Sequence, residues 1–389
     1  MPIQLTSDQR RPVVCALGIA QTIAWASSYY LPAILATPAA AELGFQPVWI
    51  FAAFSFAMMI SALIGPWAGR QVDRHGGRGV LAGSNLLFAL GLVLFATSQN
   101  PASILAAWVV LGIAMGLGLY DTAFATLARL FGTGARAPIY GITLIAGFAS
   151  TIGWPLSGYI EAQYDWRVAS LVWAALHMVI ALPLNLVLPN TLFSKATEPS
   201  PTEQPKKKFS ASLQSSLLAL VFATTAFTGT AMAAHLPRLI EAAGATTATA
   251  IAAGALIGPA QVFGRLLEFG FLRNLHPIHS AKIATLTHPL GVILLVFGGG
   301  GFAYLFAFAH GTGNGILTIA RGTLPLALFG ADGYGFRQGL IAAPARVAQA
   351  VAPVAFGFAL AEMGAASLWI GAGLGILAYG ALRLIQRDL

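Results

Sequence analysis

The sequence predicts an all-α integral membrane protein, with twelve transmembrane helices in two parallel six-helix repeats. Three observations carry this. Hydrophobic residues make up 57% of the chain and charged residues only 9%, where water-soluble domains carry about 25% charged residues. The apolar residues gather in blocks of about 20, the length at which a helix crosses a hydrocarbon core of about 30 Å. Short sequence elements also recur in the same order half a chain apart.

The blocks fall near 12–35, 49–69, 79–97, 103–129, 138–160 and 168–188, then near 213–236, 247–267, 282–299, 302–328, 339–361 and 366–385. Runs such as GVLAGSNLLFALGLVLFAT lack the alternation of a membrane β-strand. Span one follows the polar, basic start MPIQLTSDQRR. Its apolar run exceeds that of a secretory leader, so it is read as a retained span. A cleavage site at PAAAELG (38–44) is the competing reading. Gln21, Trp25, Ser28 and Tyr29 share one face of this helix. They are candidates for a partly wet cavity wall, with interhelical hydrogen bonding as the alternative.

Span two ends in ALIGPWAGRQVDRHGGRG (62–79). Gly69, Gly76 and Gly77 permit a tight turn. Asp73, Arg74 and Arg78 form a compact knot of alternating charge, suited to docking on the end of another helix. Span four carries Asp121, the one acidic residue well inside a span. Spans five and six are separated by DWR (165–167), and His177 in span six is read as structural. Residues 190–210, rich in Pro, Ser, Thr, Glu and Lys, read as a flexible cytoplasmic linker. Its Lys206–Lys208 run is read as a retaining charge cluster, with lipid binding as the alternative. The expected division is a first bundle over 1–189, this linker, and a second bundle over 211–389.

In the second half, His235 lies in span seven, Arg265 at the end of span eight and His288 in span nine. His310, Asn314 and Arg321 lie in span ten, and Arg346 in span eleven. An ionisable residue within a membrane is expensive and invites a reason. Arg321 and Arg346 are the clearest buried cations, and paired Arg donors suit a carboxylate. Arg265 is expected at the rim, because its Gly-Arg pair matches Gly69-Arg70, with a cavity role as the alternative.

Every Lys and Arg except Arg167, Arg238, Arg321 and Arg346 falls at or beyond span ends on one side. The positive-inside rule makes that side cytoplasmic and puts both termini there, in a multi-pass protein of the cell membrane. The net charge of +8 forms no basic stripe, which argues against nucleic acid. The single Cys15 excludes an intrachain disulfide and a Cys-based metal site. No His cluster sits within the spans, and HPIH (276–279) reads as a loop, so no metal and no cofactor is expected. There is no P-loop of the form GxxxxGK[ST] and no nucleophile–base constellation. The chain is therefore expected to be neither a pump nor an enzyme.

The repeats align at several points. ALIGP at 62–66 recurs at 255–259, YYLPAIL at 29–35 resembles AHLPRLI at 234–240, and LFG at 130–132 recurs at 328–330. The last register pairs Gly141 with Gly339 and Pro155 with Pro353, and sets Asp121 opposite Ile319, two residues before Arg321. His235 takes the place of Tyr30.

GRQVDRHGGR resembles the loop signature of the major facilitator superfamily, G-x-x-x-D-R-x-G-x-R, through Gly69, Asp73, Arg74, Gly76 and Arg78. DWR stands where that family often has G-W-R. Residues 116–158 are loosely similar to the monocarboxylate-transporter branch, but Gln261 stands where that branch often has an Asp before the Arg of span eight. GWPLSG (153–158) partly resembles the span-five antiporter motif, with Trp154 in place of a Gly. The resemblance implies alternating access around a central site, with Gly69, Asp73, Arg74 and Arg78 as a conformational latch. It also implies that spans seven and ten line the cavity, which makes His235, His310 and Asn314 candidate substrate ligands beside Gln21, Trp25, Ser28, Tyr29, Arg321 and Arg346.

The expected function is secondary active transport of a small organic solute, a monocarboxylate or similar anion, by proton coupling. Asp121 and Arg321 would act as the coupling or gate pair, directly or through Arg346. The expected partners are the substrate, protons and the bilayer, and the expected working unit is a monomer. A drug or toxic-compound exporter of the same fold is the alternative. A non-transporting sensor would want a sizeable soluble domain, and the sequence offers no stretch for one.

Overall fold

The computed structural model describes residues 7–189 and 213–385. The predicted 190–210 linker, with its lysine run, lies outside the described residues. All regular structure among the described residues is helical, as the apolar blocks require: a bilayer offers backbone N–H and C=O groups no water, so a lone span must satisfy them internally.

In the first half, α1 (Ser7–Ala26) ends at an irregular turn, and α2 (Pro32–Leu43) resumes with Pro32 in its first turn. α3 (Val48–His75) and α4 (Gly77–Ala96) are separated by Gly76, whose φ of 87° suits glycine. α5 (Pro101–Gly118) starts from an Asn100–Ser103 capping box. Leu119 is extended, and α6 (Tyr120–Phe131) follows directly. α7 (Arg136–Ile145) and α8 (Ala149–Gln163) are separated by a tight turn at 146–148. α9 (Trp166–Leu176) passes through a π turn at 177–181 into α10 (Leu182–Leu186).

The second half is more continuous. It comprises α11 (Leu213–Ala242), α12 (Thr247–Leu267) with a π turn to Leu272, α13 (Pro277–Gly298), α14 (Ala303–Phe329), α15 (Tyr334–Met363) and α16 (Leu368–Leu384). Among the described residues, nine helical segments are long and apolar enough to cross a membrane. Two of them, Pro277–Phe329 and Tyr334–Leu384, each contain a turn between two helices. With those turns counted and the broken Ser7–Leu43 stretch added, the helices are consistent with twelve spans.

The DWR element (165–167) does structural work in the first half. Asp165 caps α9 by accepting from Val168 N at 2.7 Å. Trp166 Nε1 and Arg167 Nε donate to Glu42, at 2.6 and 3.0 Å. Arg167 also donates to the carbonyls of Ala96 and Ser98 at the end of α4. His177 is held between Ser27 Oγ and Asn85 Oδ1, both at 2.8 Å, and stacks on Phe88.

The halves meet most closely at the opposite end. α3 crosses α15 backbone to backbone: a Cβ at Gly69 would strike the Gly335 carbonyl, and one at Gly339 would strike Gly65. Small residues permit such an approach between membrane helices. An apolar cluster there joins Val72, Phe124 and Ile139 of the first half to Leu326 and Tyr334 of the second. A polar clamp stands beside it. Arg136 of α7 donates to Tyr140 Oη at 2.6 Å and to the Leu275 carbonyl at 2.7 Å. Tyr140 in turn donates to Glu268 at 3.1 Å.

Candidate functional site

Charge in the middle of the molecule lies between the halves. Asp121 sits in the first turn of α6, just after the break at Leu119. Its Oδ2 accepts from Arg346 Nη2 at 3.0 Å, and its Oδ1 accepts from Gln338 Nε2 at 3.1 Å. Both donors belong to α15. A small cavity lies beside the pair, lined by Ser61, Gly65, Gly116 and Gly339. Arg321 of α14 is within electrostatic reach of Arg346, Asp121 and Tyr29, and its buried Nε has no hydrogen-bond partner. The carboxylate is thus engaged by Arg346.

Arg265 departs from the rim position its sequence match implies. It is 5% exposed, and its Nε and Nη1 have no hydrogen-bond partner. It presses on Gly147, where a Cβ would overlap Nη1, and reaches Tyr30 and Tyr120 electrostatically. Its repeat counterpart Arg70 is exposed and lies 4.3 Å from the centroid of the Phe336 ring. One signal separates the two in sequence: QVDRH follows Arg70, whereas Leu266 and Leu267 follow Arg265.

The first half has three helix interruptions here, the α1–α2 turn at Tyr30, the α5–α6 break before Tyr120 and the turn at Gly147, and Arg265 packs on the last. Gln21 ties two of them together, since its Nε2 donates to the Gly118 carbonyl at 2.6 Å while its Oε1 has no partner. Trp25 lies 4.9 Å from the Tyr120 ring centroid, and its indole N–H is buried and unpartnered. Tyr29 Oη lies 3.4 Å from Thr230 Oγ1 of α11. Ser28 is committed to the Ala24 carbonyl of its own helix at 2.6 Å.

The remaining candidates lie elsewhere. His235 Nε2 is 2.7 Å from the Pro353 carbonyl, a contact within the second half. His310 and Asn314 line a small cavity inside that half, with Thr225, Thr228, Thr285, His288 and Leu317. His288 and His310 are 4.9 Å apart between ring centroids. Asp73 accepts at both oxygens from the first amides of α15, Gly335 N at 2.9 Å and Phe336 N at 2.8 Å. This contact lies one turn before Gly339. Arg129 donates to the Asp73 carbonyl, Arg74 is exposed and Arg78 half-buried. No group of three or more His, Cys, Asp or Glu suited to a metal occurs among the described residues.

The geometry is that of two helical halves shut at one end over a charged centre. Residues 17–301 match the family model of the Major Facilitator Superfamily. The chain belongs to the Major Facilitator Superfamily.

Solved structures of this superfamily share its fold. A human organic anion transporter aligns over 97% of this chain and 100% of its own, with a TM-score of 0.68 and 18% identity. A proton:xylose symporter aligns over 96% and 95%, with a TM-score of 0.75 and 14% identity. Curated relatives match over shorter stretches. A multidrug resistance protein B homolog of Mycobacterium tuberculosis is 34% identical over 116 residues, 30% of this chain and 21% of its own length. Monocarboxylate transporter 14 of Mus musculus is 30% identical over 139 residues, 35% of this chain and 26% of its own. These matches span about a fifth to a quarter of those relatives. As a Major Facilitator Superfamily member with multiple apolar helices, the chain is a multi-pass membrane protein.

Proposed function

We propose that this transporter carries a small organic anion, with monocarboxylates as the preferred class, by proton-coupled alternating access. One observation carries the reading: Arg265 is buried between the halves with two guanidinium nitrogens unpartnered. A buried charge left unpaired is strongly unfavourable, and a carboxylate is the natural complement of a guanidinium fork. Arg321 adds a second, less enclosed cation. Asp121 serves as the coupling acid: protonation would release Arg346 and Gln338 and loosen α15 from α6. Asp73 on the start of α15 serves as the latch. The latched end is the cytoplasmic end by the distribution of Lys and Arg, with both termini there, and the two halves divide at 190–210 and work as one monomer.

Uptake of radiolabelled monocarboxylates into proteoliposomes, with and without an inward proton gradient, tests this. Gradient-driven accumulation above empty vesicles is expected; signals equal to empty vesicles for every carboxylate would overturn it. Proton-driven export of drugs is the second reading, favoured by the name of the mycobacterial relative and by the aromatic wall around Trp25. Dye efflux from the same vesicles separates the two.

A further inference from the structure

The first half contributes a group of rings at the end of α1 and the start of α6. Trp25, Tyr29, Tyr30 and Tyr120 are half-buried, none sealed into a core. Trp25 is the hub, 5.2 Å from Tyr29, 6.3 Å from Tyr30 and 4.9 Å from Tyr120 between ring centroids. Behind this wall, Trp154 meets Tyr30 edge to face at 5.8 Å, and Phe124 stacks on Tyr120 at 5.2 Å. The backing rings fix the front ones, so the wall is preorganised. Trp25 leaves its N–H without a partner in a buried position, a cost that a packing role alone does not offset. Arg265 packs on Gly147, in the 146–148 turn that also packs against α1, the helix that carries Trp25. A ligand that satisfies Arg265 therefore lies beside α1 and its rings.

We propose that the ligand of this site is an aromatic carboxylate, with its carboxylate on Arg265 and its ring against Trp25, Tyr30 and Tyr120. This rests on the anion reading above and narrows it. Aromatic pairs prefer offset or edge-to-face contact through their quadrupoles, an attraction beyond apolar area. A saturated ring of equal size buries the same area without it. Two such ring contacts separate the two kinds of ligand by roughly tenfold in affinity.

The test uses the purified full chain in detergent and its thermal stability against benzoate, cyclohexanecarboxylate, 3-phenylpropionate, 3-cyclohexylpropionate and benzamide. The aryl acids should protect at roughly tenfold lower concentration than their saturated partners, and benzamide should not protect. Trp25→Leu should bring the aryl acids to the level of the saturated ones. Equal protection by aryl and saturated acids overturns the aromatic proposal and leaves the anion reading standing. Protection by benzamide alone, or by no carboxylate, overturns both. The comparison within the wild-type protein holds even where the Trp25 variant does not fold.

Discussion

Arg346 and Asp121 form an ion pair between the two halves, with Nη2 3.0 Å from Oδ2 and the arginine 8% exposed. Each half contributes one member, so the pair cannot survive separation of α6 from α15.

Asp121→Asn should abolish pH-driven accumulation and leave exchange between compartments of equal pH intact. Counterflow and gradient-driven uptake measured on the same vesicles check this. A variant that still accumulates substrate against its gradient rules Asp121 out as the coupling acid.

Removing either arginine should have opposite consequences. Arg346→Ala leaves Asp121 without its charge partner at a part-buried site, and breaking a buried pair destabilises by about 3–5 kcal/mol, so the melting temperature should fall. Arg265→Gln removes a cation whose Nε and Nη1 have no partner. It should keep the melting temperature or raise it, and weaken anion binding by roughly 10- to 100-fold. Melting curves with and without benzoate on both variants decide the matter.

Asp73→Asn should favour opening of the end where α3 meets α15. It removes the charge from two hydrogen bonds to α15 amides, and bonds to charged groups are worth about 1.5–3 kcal/mol each. Spin labels at positions 74 and 332 should show a longer distance population in the variant. An unchanged distribution would contradict the latch.

Gly69→Ala should act at the same crossing by sterics alone. The added methyl would meet the Gly335 carbonyl, which cannot rotate aside as a side chain does. Overpacking of this kind costs about 1–3 kcal/mol. Thiol labelling of Ala62→Cys, in a Cys15→Ser background, should quicken when Gly69→Ala is added.

The membrane fold and the run of spans were legible because hydrocarbon imposes one rule, about 20 apolar residues per helix, and the sequence obeys it openly. The breaks inside the spans were not. Gly118 and Leu119 sit in an apolar run with no proline, and only tertiary contact, such as Gln21 on the Gly118 carbonyl, distinguishes an interrupted helix from a continuous one. Asp121 and Arg346 stood out as charges in apolar surroundings. Arg265 was masked by its repeat register with Arg70, although the leucines that follow it mark it as interior. The side-chain directions of His310 and Asn314, into the second half, depend on helix rotation, which a span without strong amphipathicity does not encode.

The broken helices of the first half and the unbroken α11, α14 and α15 of the second carry unlike groups. The second half holds Arg265, Arg321 and Arg346; the first holds Trp25, Tyr29, Tyr30, Tyr120 and Asp121. Neither half repeats the other's set, so two halves of the same kind would bring together only cations or only rings and acid. Halves produced as separate polypeptides would each be inert, and activity would return only when the unlike pair met in one membrane.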